Sequence, residues 1–180
     1  MKTKLITFCT IAALFTVASC KQINYSGEFD KSYSAWLKFK SDRNNNYSYT
    51  VNTSSFSGYV TNTTLTIENG KVTKRDFTAS VGDFGTNSQK VVQETWLEEG
   101  SSLNTHKNGA PTRTLEEVYS EAKNNWLKKR DNAQTYFETK NQGMISTAGY
   151  VKNGCMDDCF VGIYITGIGT IACCSPSKVQ

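Results

Sequence analysis

A cluster of four cysteines and two acids near the C-terminal end of the chain has the residue types best suited to chemistry. The cysteines are Cys155, Cys159, Cys173 and Cys174, and the acids are Asp157 and Asp158. Outside a reducing cytosol such cysteines usually form disulfides, and adjacent cysteines rarely bond to each other because the ring they close is strained. We therefore expect one bond from each of Cys155 and Cys159 to the Cys173–Cys174 pair. Each bond would clamp the chain end to the fold and contribute about 3 kcal/mol.

The same cluster allows a metal site as an alternative. Four thiolates could hold zinc in a closed tetrahedral shell, but this cysteine spacing differs from the usual Cys-x-x-Cys knuckle. Asp157 and Asp158 could give hard oxygen ligands to calcium, which needs six or more of them. Adjacent acids in a loop are more often turn formers, so we expect no cofactor and keep calcium or zinc binding as the alternative.

Catalytic patterns elsewhere are weak. The single histidine, His106, lies in a linker rich in Gly and Asn, where we expect it to be solvated. Glu98 and Glu99 end a predicted strand and would point to opposite faces of the sheet, so they would not work together as acid and base. The sequence has neither a Gly-x-Ser-x-Gly nor a His-Glu-x-x-His motif. We therefore expect a non-catalytic protein, with a hydrolase as a weaker alternative.

The N-terminal segment has the features of a secretory leader. Lys2 and Lys4 precede a mostly apolar run from Leu5 to Ala18. This run is shorter than the roughly twenty residues that cross a hydrocarbon core, so it predicts a signal peptide rather than a membrane span. The expected organisation is a signal peptide at 1–19, a lipidated tether at 20–27 and a single domain at 28–180.

The end of this leader, Val17-Ala18-Ser19-Cys20, resembles a bacterial lipobox. The resemblance implies cleavage before Cys20, acylation of that cysteine, and attachment of the mature protein to a membrane through lipid. Lys21 stands where an aspartate would, by analogy with enteric lipoproteins, favour the inner membrane, so we expect the outer membrane. An ordinary secretory signal cut near Ser19 is the alternative.

The charge of the chain does not indicate nucleic-acid binding. The formal net charge is +4, and removal of the two leader lysines lowers it to +2. The remaining basic residues are mixed with acids, as on a solvated surface. We therefore expect a membrane partner through the lipid and no nucleic-acid partner.

Hydrophobic periodicity predicts helices and antiparallel strands. A helix is expected over about 29–42, and the alternation at Tyr47, Tyr49 and Val51 predicts a strand. Asn69-Gly70 is typical of a tight hairpin turn. Thr114, with a glutamate three residues later, predicts the capping box of a second helix, which we expect to continue to about residue 131.

The two halves of the chain show similar patterns. Trp36-Leu37-Lys38 leads to Tyr47-Ser48-Tyr49, and Trp126-Leu127-Lys128 leads to Thr135-Tyr136-Phe137. We therefore predict an α+β fold of two helix-plus-antiparallel-strand repeats, with both helices packed on one face of a shared antiparallel sheet. The repeat halves are expected at about 28–99 and 114–174.

The chain resembles a family of small bacterial lipoproteins catalogued as a domain of unknown function. The matching features are a helix bearing Trp36, a Tyr47-x-Tyr49 strand, the turn Gly70-Lys71-Val72, Gly143, and Asp157-Asp158 before Phe160-Val161-Gly162-Ile163. The repeated unit is also similar to secreted inhibitor and propeptide-like modules, which bind proteins without catalysis.

Aromatic residues are abundant, and a surplus on the outer sheet face would make a recognition surface. The expected function is therefore a lipid-anchored envelope module that binds a protein or a glycan.

Overall fold

A computed structural model describes residues 25–82 and 90–171. They form a seven-stranded antiparallel sheet and two helices. The helices are α1 (Ser26–Asp42) and α2 (Leu115–Glu121), and the strands are β1 (Tyr47–Ser54), β2 (Tyr59–Glu68), β3 (Lys71–Gly82), β4 (Lys90–Glu99), β5 (Ala133–Glu138), β6 (Thr147–Lys152) and β7 (Phe160–Gly169). No helix in the described ranges is both long and apolar enough to cross a membrane.

The sheet order is β4-β3-β2-β1-β7-β6-β5. Two runs of sequential hairpins therefore meet where β1 pairs with β7, the last strand in the described part of the chain. The predicted combination of helices and antiparallel strands is present, but the fold is mostly sheet. The predicted repeats are only partly matched, because β1 lies at the centre of the sheet and its expected counterpart β5 lies at the edge.

Both helices begin or end at residues with the expected local chemistry. Asn44 and Asn45 adopt positive φ after α1 and end it. At α2, the Thr114 hydroxyl accepts a hydrogen bond from the Glu117 amide, and the Glu117 side chain accepts one from the Thr114 amide. The predicted continuation to residue 131 is wrong, because the chain changes to a π-helical segment, Ala122–Trp126, and then leaves the helix. The Leu127 amide bonds to the Ala122 carbonyl, five residues back.

The hydrophobic core lies between the helices and one face of the sheet. Period-two alternation in β1 turns Tyr47, Tyr49 and Val51 toward the helices, where all three are buried. The two tyrosine hydroxyls bond to the chain around the start of α2. Tyr47 Oη accepts from the Leu115 amide at 2.9 Å, and Tyr49 Oη donates to the Arg113 carbonyl at 2.6 Å. Burial raises the pKa of both phenols, so they remain neutral hydrogen-bonding groups.

The opposite face of the sheet, here called the open face, carries many polar side chains. One row of directly paired residues crosses all seven strands on this face, and we call it the polar row. Its members are Thr95, Thr78, Asn62, Asn52, Tyr164, Thr147 and Glu138. Since both helices pack on the other face, these side chains face away from the core.

Candidate functional site

A cleft of about 370 Å³ lies between the helix-covered face of the sheet and the linker that leads into α2. This size is within the usual range for small-molecule sites. Its walls are mainly aromatic and aliphatic. The lining residues are Tyr49, Val51, Thr53, Tyr59, Thr61, Phe77, Asn108, Gly109, Ala110, Pro111, Arg113, Trp126, Gly162 and Ile163. None of these side chains is a carboxylate, imidazole or thiol, and Arg113 is the charged member of the lining.

A buried ion pair holds the linker against the sheet. Arg75 on β3 and Glu98 on β4 form two parallel hydrogen bonds, with Nε–Oε2 at 2.9 Å and Nη2–Oε1 at 3.0 Å. Arg75 also donates to the carbonyls of His106 and Ala110. The Glu98 carboxylate accepts from the amides of Asn104 and His106. These contacts satisfy both charges and fix the path of the linker.

The position of His106 differs from the prediction. It was expected to be solvated, but its ring stacks on Trp96 with centroids 4.4 Å apart. Its Nδ1 lies 3.0 Å from Glu98 Oε1, and its side chain is 43% exposed. The prediction that Glu98 and Glu99 point to opposite faces is confirmed, because Glu98 is fully buried and Glu99 is exposed.

Arg113 is the cation of the cleft. Its carbonyl is fixed by the Tyr49 hydroxyl, and its guanidinium lies 5.9 Å from the centre of the Trp126 ring. Within residues 25–82 and 90–171, the guanidinium makes no hydrogen bond or ion pair. Arg113 is not among the predicted site residues, and the local signal for it in the sequence is its place directly before the capping threonine.

Three aromatic residues form a second feature, the aromatic patch, on the open face. The patch consists of Tyr136, Phe160 and Tyr164. The Phe160 and Tyr164 rings stack with centroids 4.2 Å apart, and the Tyr136 ring is 6.4 Å from Phe160. Tyr136 is 36% and Tyr164 42% exposed. Gly149 lies beneath the Phe160 ring, since a Cβ atom built there would overlap the ring.

Strands β1 and β7 separate near the aromatic patch. They pair from Ser48 to Asn52, after which β1 pairs only with β2. The opening between them is a small cavity of about 210 Å³ that shares Val51, Thr53, Gly162 and Ile163 with the cleft. The Phe56 amide, in the loop after β1, donates to Asp158 Oδ1 in the loop before β7 at 3.3 Å. The cleft therefore lies on one side of the gap between β1 and β7, and the aromatic patch lies on the other side.

The cysteine loop differs from the expected disulfide pattern. Cys155 and Cys159 pair with each other, with Cα atoms 6.1 Å apart. The expectation that each would bond to Cys173 or Cys174 is therefore wrong for this pair, since a turn with three intervening residues already brings the two sulfurs together. Cys173, Cys174 and the predicted lipidation site Cys20 lie outside the described residues.

The acids of this loop are not gathered into a metal centre. Asp157 and Asp158 are exposed, and Asp158 adopts positive φ in the turn. In the described part of the chain, no three His, Cys, Asp or Glu side chains are arranged to hold a metal ion. The Cys155–Cys159 bond also removes two of the thiolates on which the zinc alternative depends.

Comparisons with protein-family models, with curated proteins and with solved structures return no match for this chain. The arrangement of its own residues is therefore the basis for any assignment. Two features could carry a function: the cleft with Arg113, and the aromatic patch, which shares Tyr164 with the polar row.

Proposed function

We propose that the protein is a non-catalytic binding module of the bacterial envelope, and that its open face binds an extended glycan. The observation that carries this proposal is the aromatic patch, which leaves stacked rings exposed on a sheet face that neither of the described helices covers. Exposed rigid rings are typical of recognition surfaces, because they offer contact area at a small cost in side-chain entropy.

The surroundings of the patch favour a glycan over a protein partner. A sugar ring has an apolar C–H face that can stack on an aromatic ring and a rim of hydroxyls that need hydrogen-bonding partners. The polar row supplies such partners from one end of the sheet to the other, with spacings of about 4.8 Å between strands. Asn52 donates to Asn62 at 3.0 Å, and Thr147 donates to Glu138 at 3.0 Å, so the row is already ordered.

Attachment to the membrane through Cys20 is the second part of the proposal. It depends on the lipobox-like Val17–Cys20 and on the short leader. The described domain begins with α1 at Ser26, so only a short segment separates Cys20 from the first helix. A lipid-anchored module of this kind, placed in the outer membrane, would meet envelope glycans directly.

The test is binding of chitohexaose and maltohexaose to the full-length protein, measured by isothermal titration calorimetry. If stacking on the patch drives binding, Tyr136→Ala and Tyr164→Ala should each weaken binding of the preferred sugar about tenfold, which corresponds to about 1.4 kcal/mol. Leu97→Ala is the matched control, because Leu97 is an exposed apolar residue on the far strand of the same face.

Unchanged binding in both tyrosine variants would contradict a role for the patch. If the wild-type protein binds neither sugar, the glycan proposal fails and a protein partner becomes the better explanation of the exposed rings. Circular dichroism of each variant checks that a loss of binding does not come from unfolding.

A further inference from the structure

We infer that the cleft is a separate site for a small organic anion with an apolar body, and that Arg113 binds the carboxylate of this ligand. The cleft faces the helices, whereas the proposed glycan surface is on the open face. The two proposals therefore depend on different residues and can fail independently.

The first argument is the uncompensated charge of Arg113. A guanidinium carries donors in a planar fork that matches a carboxylate, and such pairs are usually formed where an acid is within reach. Arg75 on β3 follows this pattern and uses its fork on Glu98 and two carbonyls. The Arg113 guanidinium, by contrast, makes no hydrogen bond or ion pair with any described residue and lies 5.9 Å from the centre of the Trp126 ring. A cation that lines a cleft without an acid partner provides the charge complement of an anionic ligand.

The second argument is the chemistry of the walls. Tyr49, Phe77 and Val51 are buried side chains of the sheet, and Trp126 reaches the cleft from the π-helical segment. These groups would cover an aromatic or aliphatic body and remove its surface from water, which favours binding by about 25 cal/mol per Å². The volume of about 370 Å³ fits a ligand the size of an indole or a short fatty acid.

The third argument is that the site is already formed. The linker wall is held by the Arg75–Glu98 pair, and the backbone carbonyl of Arg113 is held by the Tyr49 hydroxyl. Gly109 lies so close to the sheet that an added Cβ would be 3.1 Å from Phe77 and Trp96. A wall fixed in this way loses little conformational entropy when a ligand enters.

The test uses two matched pairs of probes with the full-length protein. Indole-3-acetate is compared with indole-3-acetamide, and decanoate with decanamide, by saturation-transfer NMR and titration calorimetry. At least one acid should bind, and more tightly than its amide. Arg113→Gln should weaken binding of that acid about tenfold or more and leave the amide unchanged. Arg113→Lys should retain part of the preference for the acid.

Three further variants separate the effects of charge and of cleft volume from general effects on the protein. Lys123→Gln removes the same charge from an exposed position outside the cleft and should leave binding unchanged. Thr53→Phe should fill the mouth of the cleft and block both probe types, whereas Thr78→Phe, on the open face, should not. Binding of neither acid, equal binding of acids and amides, or full retention of acid binding in Arg113→Gln would overturn the inference. None of these results would affect sugar binding by the aromatic patch.

Discussion

Among single residues, Glu98 has the environment that most strongly opposes the charge of its side chain. Its carboxylate is fully buried, and burial alone would favour the neutral form. The hydrogen bonds from Arg75, from the His106 and Asn104 amides and from the His106 ring outweigh that effect and hold the pKa of Glu98 well below its usual range. A charged group kept ionised in this way is stabilising only while all of its partners remain in place.

Glu98→Gln should therefore destabilise the protein by about 3–5 kcal/mol at pH 7, because Arg75 would be left buried without its counter-charge. The folded-state pKa of Glu98 is depressed, so its contribution is complete above the unfolded value of about 4.3 and is lost as the pH falls below it. The difference in unfolding free energy between wild type and variant should accordingly shrink below about pH 4. Urea denaturation at several pH values measures this.

Glu99→Gln is the matched control for that experiment. Glu99 is the neighbouring acid on the exposed side of the same strand, and it lies 3.4 Å from Lys74. Because surface ion pairs contribute little, this variant should change stability by less than about 1 kcal/mol. An equal loss in both variants, or a Glu98→Gln effect that does not depend on pH, would contradict the assigned role of the buried pair.

Individual elements were largely predictable, because their signals are local. The Asn69-Gly70 turn has positive φ at both residues, and the Thr114 capping box forms as expected. The early end of the second helix was not predictable, since the π-helical segment places Trp126 in the core through contacts with the sheet. Phe160 and Tyr164 lie at alternate positions of β7, so the sequence predicts that they share a face. Only the pairing with β6 determines that this face points away from the helices.

Gly149 shows how one strand position supports the aromatic patch. A Cβ atom there would overlap the Phe160 ring and lie 2.6 Å from the Val161 carbonyl oxygen. Gly149→Ala should therefore cost about 2 kcal/mol of unfolding free energy and displace Phe160, which NMR of the aromatic protons would detect. Gly167→Ala is the control, since it is a β7 glycine with open space around the added methyl. If the two variants unfold at the same denaturant concentration, Gly149 does not have the steric role described here.

At the scale of the whole molecule, the sequence could not predict the order of the strands. The pairing of β1 with β7 joins the two ends of the described domain, and no local pattern encodes a contact at that separation. The cleft could not be predicted from the sequence either, because it exists only where the linker is held against β3 and β4 by Arg75 and Glu98. The disulfide expectation was wrong for a related reason: the loop geometry that pairs Cys155 with Cys159 is a property of the folded turn.

Lipid attachment is the property that would place the entire molecule at a membrane. When the full-length protein is expressed in a bacterium, its mature mass should correspond to a chain that starts at Cys20 and carries acyl groups. It should also partition with membranes, because several acyl chains together give stable anchoring. Cys20→Ser should abolish the acyl mass and release the protein from membranes. Cys9→Ser should change neither, since Cys9 lies inside the predicted leader. A mature chain that begins near Cys20 without acylation would show an ordinary secretory signal, and the proposed binding surfaces would then belong to a freely diffusing protein.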